Sequence, residues 1–284
     1  MSEHDGILRV ADYPALRSAW VRHVRTGRVI RPLPGVVMDA ALAQDPVAWM
    51  RAVHAWDRNA VVVARAAASL TFAPETVLDH VSVYTASRLR DRGLIRFRCH
   101  ELDPELTSWV GNLRVTTPAA TSLTAGLEGD YDPATAALRL SIVDLEALGE
   151  CARRLNIRPA QNVRGVLRDL GGNPWSVAEV DAHRLLRGAG ITGWVGNHGV
   201  VINGRRYVLD IAFPAARVAF EVNSFQFHSS RQAMVRDAGR ANAILAAGWR
   251  LYVLMPGNIT QHPQETLAFV RSVTRRREQR GGAT

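Results

Sequence analysis

The segment VAFEVN at residues 218–223 places two polar side chains, whose chemistry suits a functional site, on an otherwise apolar strand. Its apolar residues recur at every second position from Val218 onward, which predicts a strand with that face turned inward. Glu221 and Asn223 then share the opposite face. A carboxylate and an amide side by side on a half-buried strand are suited to binding a cation or a phosphate.

A second carboxylate lies in the preceding strand, which is predicted over about residues 200–213 and contains the segment RRYVLDIAF at residues 205–213. Alternation predicts one apolar face made of Tyr207, Leu209, Ile211 and Phe213, with Asp210 on the other. If Phe213 pairs with Val218 across a turn, Asp210 lies directly opposite Glu221, with Cβ atoms about 4.5–5.5 Å apart. Like charges so placed destabilise a sheet. A Mg²⁺ or Mn²⁺ ion held by both carboxylates would explain the arrangement.

Two further candidates flank this pair of carboxylates. Glu179 lies at the start of a predicted helix, where it can complete the outer shell of the metal or hold a second ion. Ser176, three residues earlier, equally predicts an N-terminal capping box for that helix. His228 follows the second strand, and in a metal-dependent hydrolytic site such an imidazole can orient a water or protonate a leaving oxygen. Its alternative role is packing against Phe225 or Phe227.

Together these residues resemble the core of the PD-(D/E)XK restriction endonucleases, in the branch that includes the very-short-patch-repair endonucleases. The resemblance rests on Asp210, on Glu221-Val222-Asn223 in the next strand, and on the preceding helix with Glu179. The segment FHSSRQAMVRDAGRANAILAAGWRLYVL adds to it. The resemblance implies an α/β/α core that hydrolyses DNA phosphodiesters with Mg²⁺ or Mn²⁺.

The same segment carries a basic helix in which that branch has similar residues. Three of its arginines are expected to meet DNA phosphates: Arg231, Arg236 and Arg240. Asp237 would hold one of them in place. The alternative is an ordinary charged helix face with pairs four residues apart.

Asn223 departs from the pattern of the family, which often has Lys at this position, and the chain contains no Lys at all. Asn can hold a water or donate to a phosphate oxygen, but it cannot stabilise a transition state as a cation.

Two main hypotheses for the function follow from these residues. The protein is a metal-dependent endonuclease in genome defence or repair, or it is a transcriptional regulator whose nuclease fold is inactive and only binds DNA. A third is an interaction module that sequesters a toxin or another protein.

A basic helix and hairpin are predicted near the N-terminus. Residues 14–26 have the pattern of a helix that ends at Gly27, and RVIRPLPGVVM that of a β-wing turned at Pro34-Gly35. Helix and wing are typical of the end of a winged helix-turn-helix, and with RVTTPAATSL further on they resemble AbiEi-type antitoxins and regulators. The candidate phosphate contacts are Arg22, Arg25, Arg28 and Arg31. The alternative is a solvated basic face.

The predicted organisation is a multi-domain α/β protein. A winged helix-turn-helix covers residues 1–45, an α+β middle region residues 46–157, and the nuclease-like domain with a basic tail residues 158–284. The middle region shows no chemical constellation, and its histidines are widely separated in sequence: His54, His80 and His100.

Composition favours an acidic partner, with DNA as the leading candidate. The chain has 35 basic residues, all Arg, against 26 acidic ones, which gives a net charge of +9. Codon bias alone can also enrich Arg.

Cys99 and Cys151 form no metal-ligand pair, and the first residues lack the pattern of a signal peptide. No apolar run reaches the ~18 residues of a membrane span. We therefore expect a cytoplasmic protein without a membrane partner; a homodimer is left open.

Overall fold

The computed structural model describes residues 6–222 and 231–275. The chain divides into two compact units, Met1–Leu167 and Arg168–Thr284. Both units combine helices with a β-sheet, which confirms the predicted multi-domain α/β class. No helix in these described ranges is long and apolar enough to cross a membrane.

The first unit begins with a small sheet and one α-helix. Its strands, in the order β1-β3-β2, are β1 (Ile7–Arg9), β2 (Val29–Ile30) and β3 (Val36–Asp39), and α1 (Arg17–Arg25) precedes the β2–β3 hairpin. Gly27 and Gly35 have φ of +69° and +73°, so the helix ends and the hairpin turns where the sequence predicts.

The helix-turn-helix expected before this wing is only partly formed. Between β1 and α1 the chain makes two short 3-10 turns, Val10–Asp12 and Pro14–Leu16. So few residues cannot form two α-helices, and Pro14 supplies no backbone N–H donor. Over residues 6–39, therefore, the predicted motif is reduced to its last helix and its wing.

A five-stranded mixed sheet forms the centre of the first unit. Its order is β6-β5-β4-β8-β7, with β4 (Val61–Val62), β5 (Val81–Thr85), β6 (Ile95–Cys99), β7 (Thr107–Val110) and β8 (Leu113–Thr116). The helices are α2 (Pro46–Trp56), α3 (Ala64–Thr71), α4 (Pro118–Leu127), α5 (Asp132–Arg139), α6 (Leu145–Arg154) and α7 (Ala160–Leu170).

One hydrophobic core joins the two N-terminal regions that the sequence separates at residue 45. Val36 and Met38 of the wing lie in the same buried cluster as Trp49, Val62 and Val83. A smaller cluster of Leu8, Trp20, Val29 and Val37 lies within residues 1–45 alone, but the wing also contributes to the core of 46–157, so the expected boundary at residue 45 does not separate two independent cores. The division between the units, after Leu167, also falls ten residues later than the expected boundary at 157/158.

The second unit is a three-layer α/β/α structure. Its sheet has the order β12-β11-β10-β9, with β9 (Val195–Ile202), β10 (Arg205–Phe213), β11 (Val218–Val222) and β12 (Arg250–Leu254). The helices are α8 (Val177–Gly188), α9 (Arg231–Ala246), α10 (Pro256–Gln261) and α11 (Pro263–Arg275). Apolar side chains of α8, α10 and α11 pack on one face of the sheet, and Ile244 of α9 packs on the other.

A single strand expected over residues 200–213 is instead a hairpin of β9 and β10. Asn203 and Gly204 at its turn have φ of +49° and +75°. Two consecutive left-handed residues make the tight turn that suits antiparallel strands. The expectation of one strand was therefore wrong, and Asn-Gly is the sequence signal that identifies the turn.

Candidate functional site

Asp210 lies on the second unit's sheet between two polar residues of the neighbouring strands. The predicted register, with Phe213 opposite Val218, is confirmed as far as Ile211 and Phe220, and Asp210 and Glu221 are the next residues of the two strands. On the other side, the pairs Leu209↔His198 and Ile211↔Gly196 place Asn197 opposite Asp210. The fold therefore brings together a carboxylate, a second carboxylate and an amide from three adjacent strands.

The alternation of β10 is interrupted at Asp210. Tyr207 and Leu209 pack in the cluster on the α9 side of the sheet, whereas Ile211 and Phe213 pack in the cluster on the α8 side. The prediction of one common face for these four residues was therefore wrong. The break coincides with Asn197 across the ladder, whose φ of +45° departs from an extended strand.

The Asp210 carboxylate is held in a partly buried position at this break. Its Oδ2 accepts a hydrogen bond of 2.8 Å from the backbone N–H of Val222. Burial, followed by repulsion from Glu221 and then Glu179, raises the pKa of Asp210 to about 7. The three carboxylates singled out in the sequence thus act on one another electrostatically.

Glu221 is neutralised by an arginine of α9. Nη1 of Arg240 donates to Oε2 of Glu221 at 2.9 Å, and Nη2 donates to Oε1 at 3.1 Å and to the carbonyl of Val208. This bidentate pairing uses the planar fork of the guanidinium. The guanidinium of Arg240 is thus paired with a carboxylate that is close by and largely shielded from water, and its expected phosphate contact stays a prediction that requires release from Glu221.

Removing this arginine should leave two acceptors without a donor. We expect Arg240→Ala to lower the free energy of unfolding by about 1–3 kcal/mol, because Glu221 and the Val208 carbonyl lose their partner in a largely buried site. Chemical denaturation in EDTA measures the loss. Arg236→Ala, an exposed residue of the same helix, is the control and should stay within about 0.5 kcal/mol of the wild type. Equal stabilities of the two variants would contradict the role of the pair.

Glu179 forms the capping box that is the alternative to a metal ligand. The Ser176 hydroxyl accepts from the Glu179 N–H at 3.2 Å and donates to Oε1 at 2.9 Å. Oε2 accepts from the Trp175 N–H at 2.9 Å and from Nδ2 of Asn197 at 2.6 Å. Burial raises the pKa of Glu179. Both oxygens already have donors, so Glu179 is better suited to fixing Asn197 than to binding a metal directly.

His183, which sequence reasoning passed over, is buried in α8 one turn after Glu179. Its ring lies 4.6 Å from that of Trp194. Burial, and then the charge of Arg187, lower its pKa to about 4, while the backbone of Asp210 acts in the opposite direction. The imidazole is therefore kept neutral, and neither of its buried ring nitrogens has a hydrogen-bond partner in the described part of the chain. Its position four residues after Glu179 is the only sequence signal that points to it.

The strand carrying Asn197 packs too closely for a side chain at Gly196. A Cβ there would overlap the carbonyl oxygen of Gly172 and lie 2.8 Å from Cε1 of His183. We expect Gly196→Ala to destabilise the fold by about 2 kcal/mol or more, measured by denaturant unfolding. At Gly188 nothing lies within 4 Å of the added Cβ, so Gly188→Ala should be neutral or slightly stabilising. Similar effects of the two substitutions would contradict the close packing.

The remaining predicted residues either lie outside the described ranges or are exposed to solvent. Asn223 and His228 lie outside the described residues, as does the side chain of Arg231. Arg236 and Asp237 are exposed on α9. In the first unit the four arginines of the helix and wing are all exposed: Arg22, Arg25, Arg28 and Arg31.

The fit of a divalent cation can be judged from the oxygens around Asp210. Oδ1 of Asn197 is buried and accepts no hydrogen bond from the described residues. The repulsion that raises the pKa of Asp210 is what a cation between Asp210 and Glu221 would relieve. Two carboxylates and an amide oxygen are the ligand types that a hard cation prefers, with Arg240 as the competing charge. Within 6–222 and 231–275, no group of three or more His, Cys, Asp or Glu is arranged to hold a metal by itself.

Compared with known proteins, the chain matches no family model and no curated protein. The resemblance to PD-(D/E)XK endonucleases and to AbiEi-type regulators thus stays a prediction.

Proposed function

We propose that the chain is a DNA-binding protein whose second unit is a metal-dependent endonuclease. The observation that carries the proposal is the position of Asp210, whose burial, followed by repulsion from the nearby Glu221 and Glu179, raises its pKa to about 7. Repulsion between carboxylates in a partly buried site destabilises the fold, and Arg240 pairs with only one of them, so the arrangement favours a functional explanation.

Asp210 and Glu221 would hold Mg²⁺ or Mn²⁺, with Oδ1 of Asn197 as a third oxygen. When bound, the ion polarises a phosphate and lowers the pKa of a bound water. The protein supplies the rest. Glu179 fixes the Asn197 amide, and the Val222 N–H orients Asp210. Arg240 holds Glu221 in the absence of a cation, and once released its guanidinium suits a phosphate oxygen.

The exposed arginines of the first unit support DNA as the substrate. Arg22 and Arg25 lie three residues apart on α1 and therefore on the same side of the helix. Arg28 and Arg31 flank β2 in the wing. Exposed guanidinium groups on a helix and an adjacent hairpin suit the phosphates of a duplex, and the net charge of +9 favours such a partner.

A regulator with an inactive nuclease fold is the second candidate, and the Arg240–Glu221 pair favours it. Both oxygens of Glu221 are already bound by one guanidinium. If this pair is permanent, the arginine takes the place of a metal and the unit binds DNA without cleaving it.

Cleavage assays distinguish the two candidates. Supercoiled plasmid, single-stranded DNA and mismatched duplex are incubated with the full chain in Mg²⁺, Mn²⁺ or EDTA. The nuclease proposal predicts metal-dependent cleavage of at least one substrate, lost in Asp210→Asn and retained in Asp181→Asn. Asp181 is a suitable control because its carboxylate pairs with Arg184 at 3.4 Å on the same helix as Glu179. DNA binding without cleavage of any substrate would support the regulator instead.

A further inference from the structure

The five-stranded sheet of the first unit forms part of the wall of a cavity of about 1190 Å³. Strands β5 and β6 are parallel, with Ser82 beside Arg96 and Tyr84 beside Arg98. Residues paired in register point to the same side of a sheet, so these four side chains face the cavity together. The alternate residues of both strands point into the hydrophobic core.

A carboxyl group from the end of α4 lies beside these strands in the cavity wall. Glu128 directly follows α4, and its Oε2 accepts a hydrogen bond of 2.9 Å from the Ser82 hydroxyl. Burial raises the pKa of Glu128, while the Ser82 hydrogen bond and the charges of His80 and Arg98 oppose the shift. The cavity therefore contains a fixed polar group suited to hydrogen bonding with a ligand.

The cations of the cavity differ in how far they are already neutralised. Arg65 is paired with Asp130 at 2.6 Å and with Asp132 at 2.8 Å. Arg98 has no ion pair within the described part of the chain; its Nη1 donates to the carbonyl of Phe97 at 3.2 Å. Nε of Arg96 is 3.9 Å from the carboxylate of Asp91. Its Nη1 donates to the carbonyls of Gly93 and Ile95, which leaves Nη2 without a partner in the described part of the chain. Arg96 and Arg98 thus keep guanidinium donors for an anion.

Protection of an edge strand explains only part of this arrangement. Charged residues commonly prevent an edge strand such as β6 from pairing with another chain. That role requires neither a carboxyl group beside the strand nor aromatic rings in the wall. Tyr84 is only 6% exposed, and its ring lies 5.7 Å from that of His100 in an edge-to-face contact.

We propose that this cavity binds a nucleotide, with its phosphate at Arg96 and Arg98 and its base toward Glu128. Guanidinium pairs suit phosphate oxygens, and a carboxyl group suits the amino and ring N–H groups of a base. The volume is far larger than inorganic phosphate requires and is sufficient for a nucleotide-sized ligand. The nucleotide can be free or the 5′ end of a nucleic acid. The proposal concerns the first unit alone and does not depend on the carboxylate site of the second.

Isothermal titration of the full chain tests the proposal. The probes are the four nucleoside 5′-monophosphates, the matching nucleosides and inorganic phosphate. We expect at least one monophosphate to bind about tenfold or more tighter than both its nucleoside and phosphate. Arg98→Ala should weaken that binding about tenfold or more. Arg98→Lys keeps the charge but lacks the planar set of guanidinium N–H donors, and it should weaken the binding less. Arg139→Ala, an exposed arginine outside the cavity, should change nothing.

Further results decide the source of the ligand or overturn the proposal. Tighter binding of a 5′-phosphorylated dinucleotide than of the mononucleotide supports a nucleic-acid end, and weaker binding supports a free nucleotide. Glu128→Gln should alter the preference among the four bases, because it replaces an acceptor by an amide donor. The proposal fails if no monophosphate binds at about 1 mM, if phosphate alone binds as tightly, or if both Arg98 variants bind like the wild type.

Discussion

Asp210→Asn is expected to abolish DNA cleavage and, in the absence of metal, to stabilise the protein. The amide keeps the size of the side chain and an oxygen that can accept from the Val222 N–H. It removes the charge that repels Glu221 and that a cation needs. We expect cleavage to fall by about 10³-fold or more, as for groups essential to the chemical step. The stabilisation of the wild type by Mg²⁺, measured by thermal unfolding, should disappear in the variant.

The stabilising effect of Asp210→Asn should depend on pH. A carboxyl group with a folded-state pKa of about 7, well above its ordinary value, binds a proton more tightly in the folded state. Its contribution to stability is complete below about pH 4 and is lost as the pH rises through about 7. In EDTA, the free energy of unfolding of the variant relative to the wild type should therefore rise by at least about 1 kcal/mol between pH 4 and pH 8. A difference that is constant with pH would contradict a strained carboxylate.

The second large effect is expected for the triple variant Arg22→Ala, Arg25→Ala, Arg28→Ala. Each lost phosphate contact should reduce the slope of log affinity against log salt by about 0.9, so three contacts reduce it by about 2.7. At about 0.1 M salt the affinity for duplex DNA should fall by roughly 10²–10³-fold. Fluorescence anisotropy over a range of salt concentrations measures both quantities.

A control with the same loss of charge separates contact from net charge. Its three substitutions, all of exposed arginines in the helices of the first unit, are Arg139→Ala, Arg153→Ala and Arg164→Ala. This control should largely retain the salt slope. If both triple variants keep the slope of the wild type, the helix and wing make no contact with DNA phosphates.

The sequence predicts the carboxylate pair because its hairpin is local. The apolar alternation and the short turn determine which residues of β10 and β11 face each other, so the register at Phe213 and Val218 follows from nearby residues. The preceding turn was equally predictable, since Asn203-Gly204 is a strong hairpin signal. The break in alternation at Asp210 was not, because it depends on the conformation of Asn197 on another strand.

Contacts between distant segments account for what sequence reasoning missed. Arg240 reaches Glu221 from 19 residues away, on helix α9, which lies between β11 and β12 in the chain. The spacing of Arg240 from the other charged residues of α9 is equally typical of a solvated helix face. The polar cavity of the first unit depends on the parallel pairing of β5 and β6. His80 and His100 both line this cavity, although they lie far apart in the sequence.

The most direct test of the account is to locate a divalent cation in crystals of the full chain grown with Mn²⁺. Anomalous diffraction identifies the ion independently of catalysis. The account predicts a peak about 2.0–2.6 Å from carboxylate oxygens of both Asp210 and Glu221, with the guanidinium of Arg240 displaced from Glu221. Crystals without such a peak, in which Arg240 still binds both oxygens of Glu221, would contradict a metal site and favour the regulator.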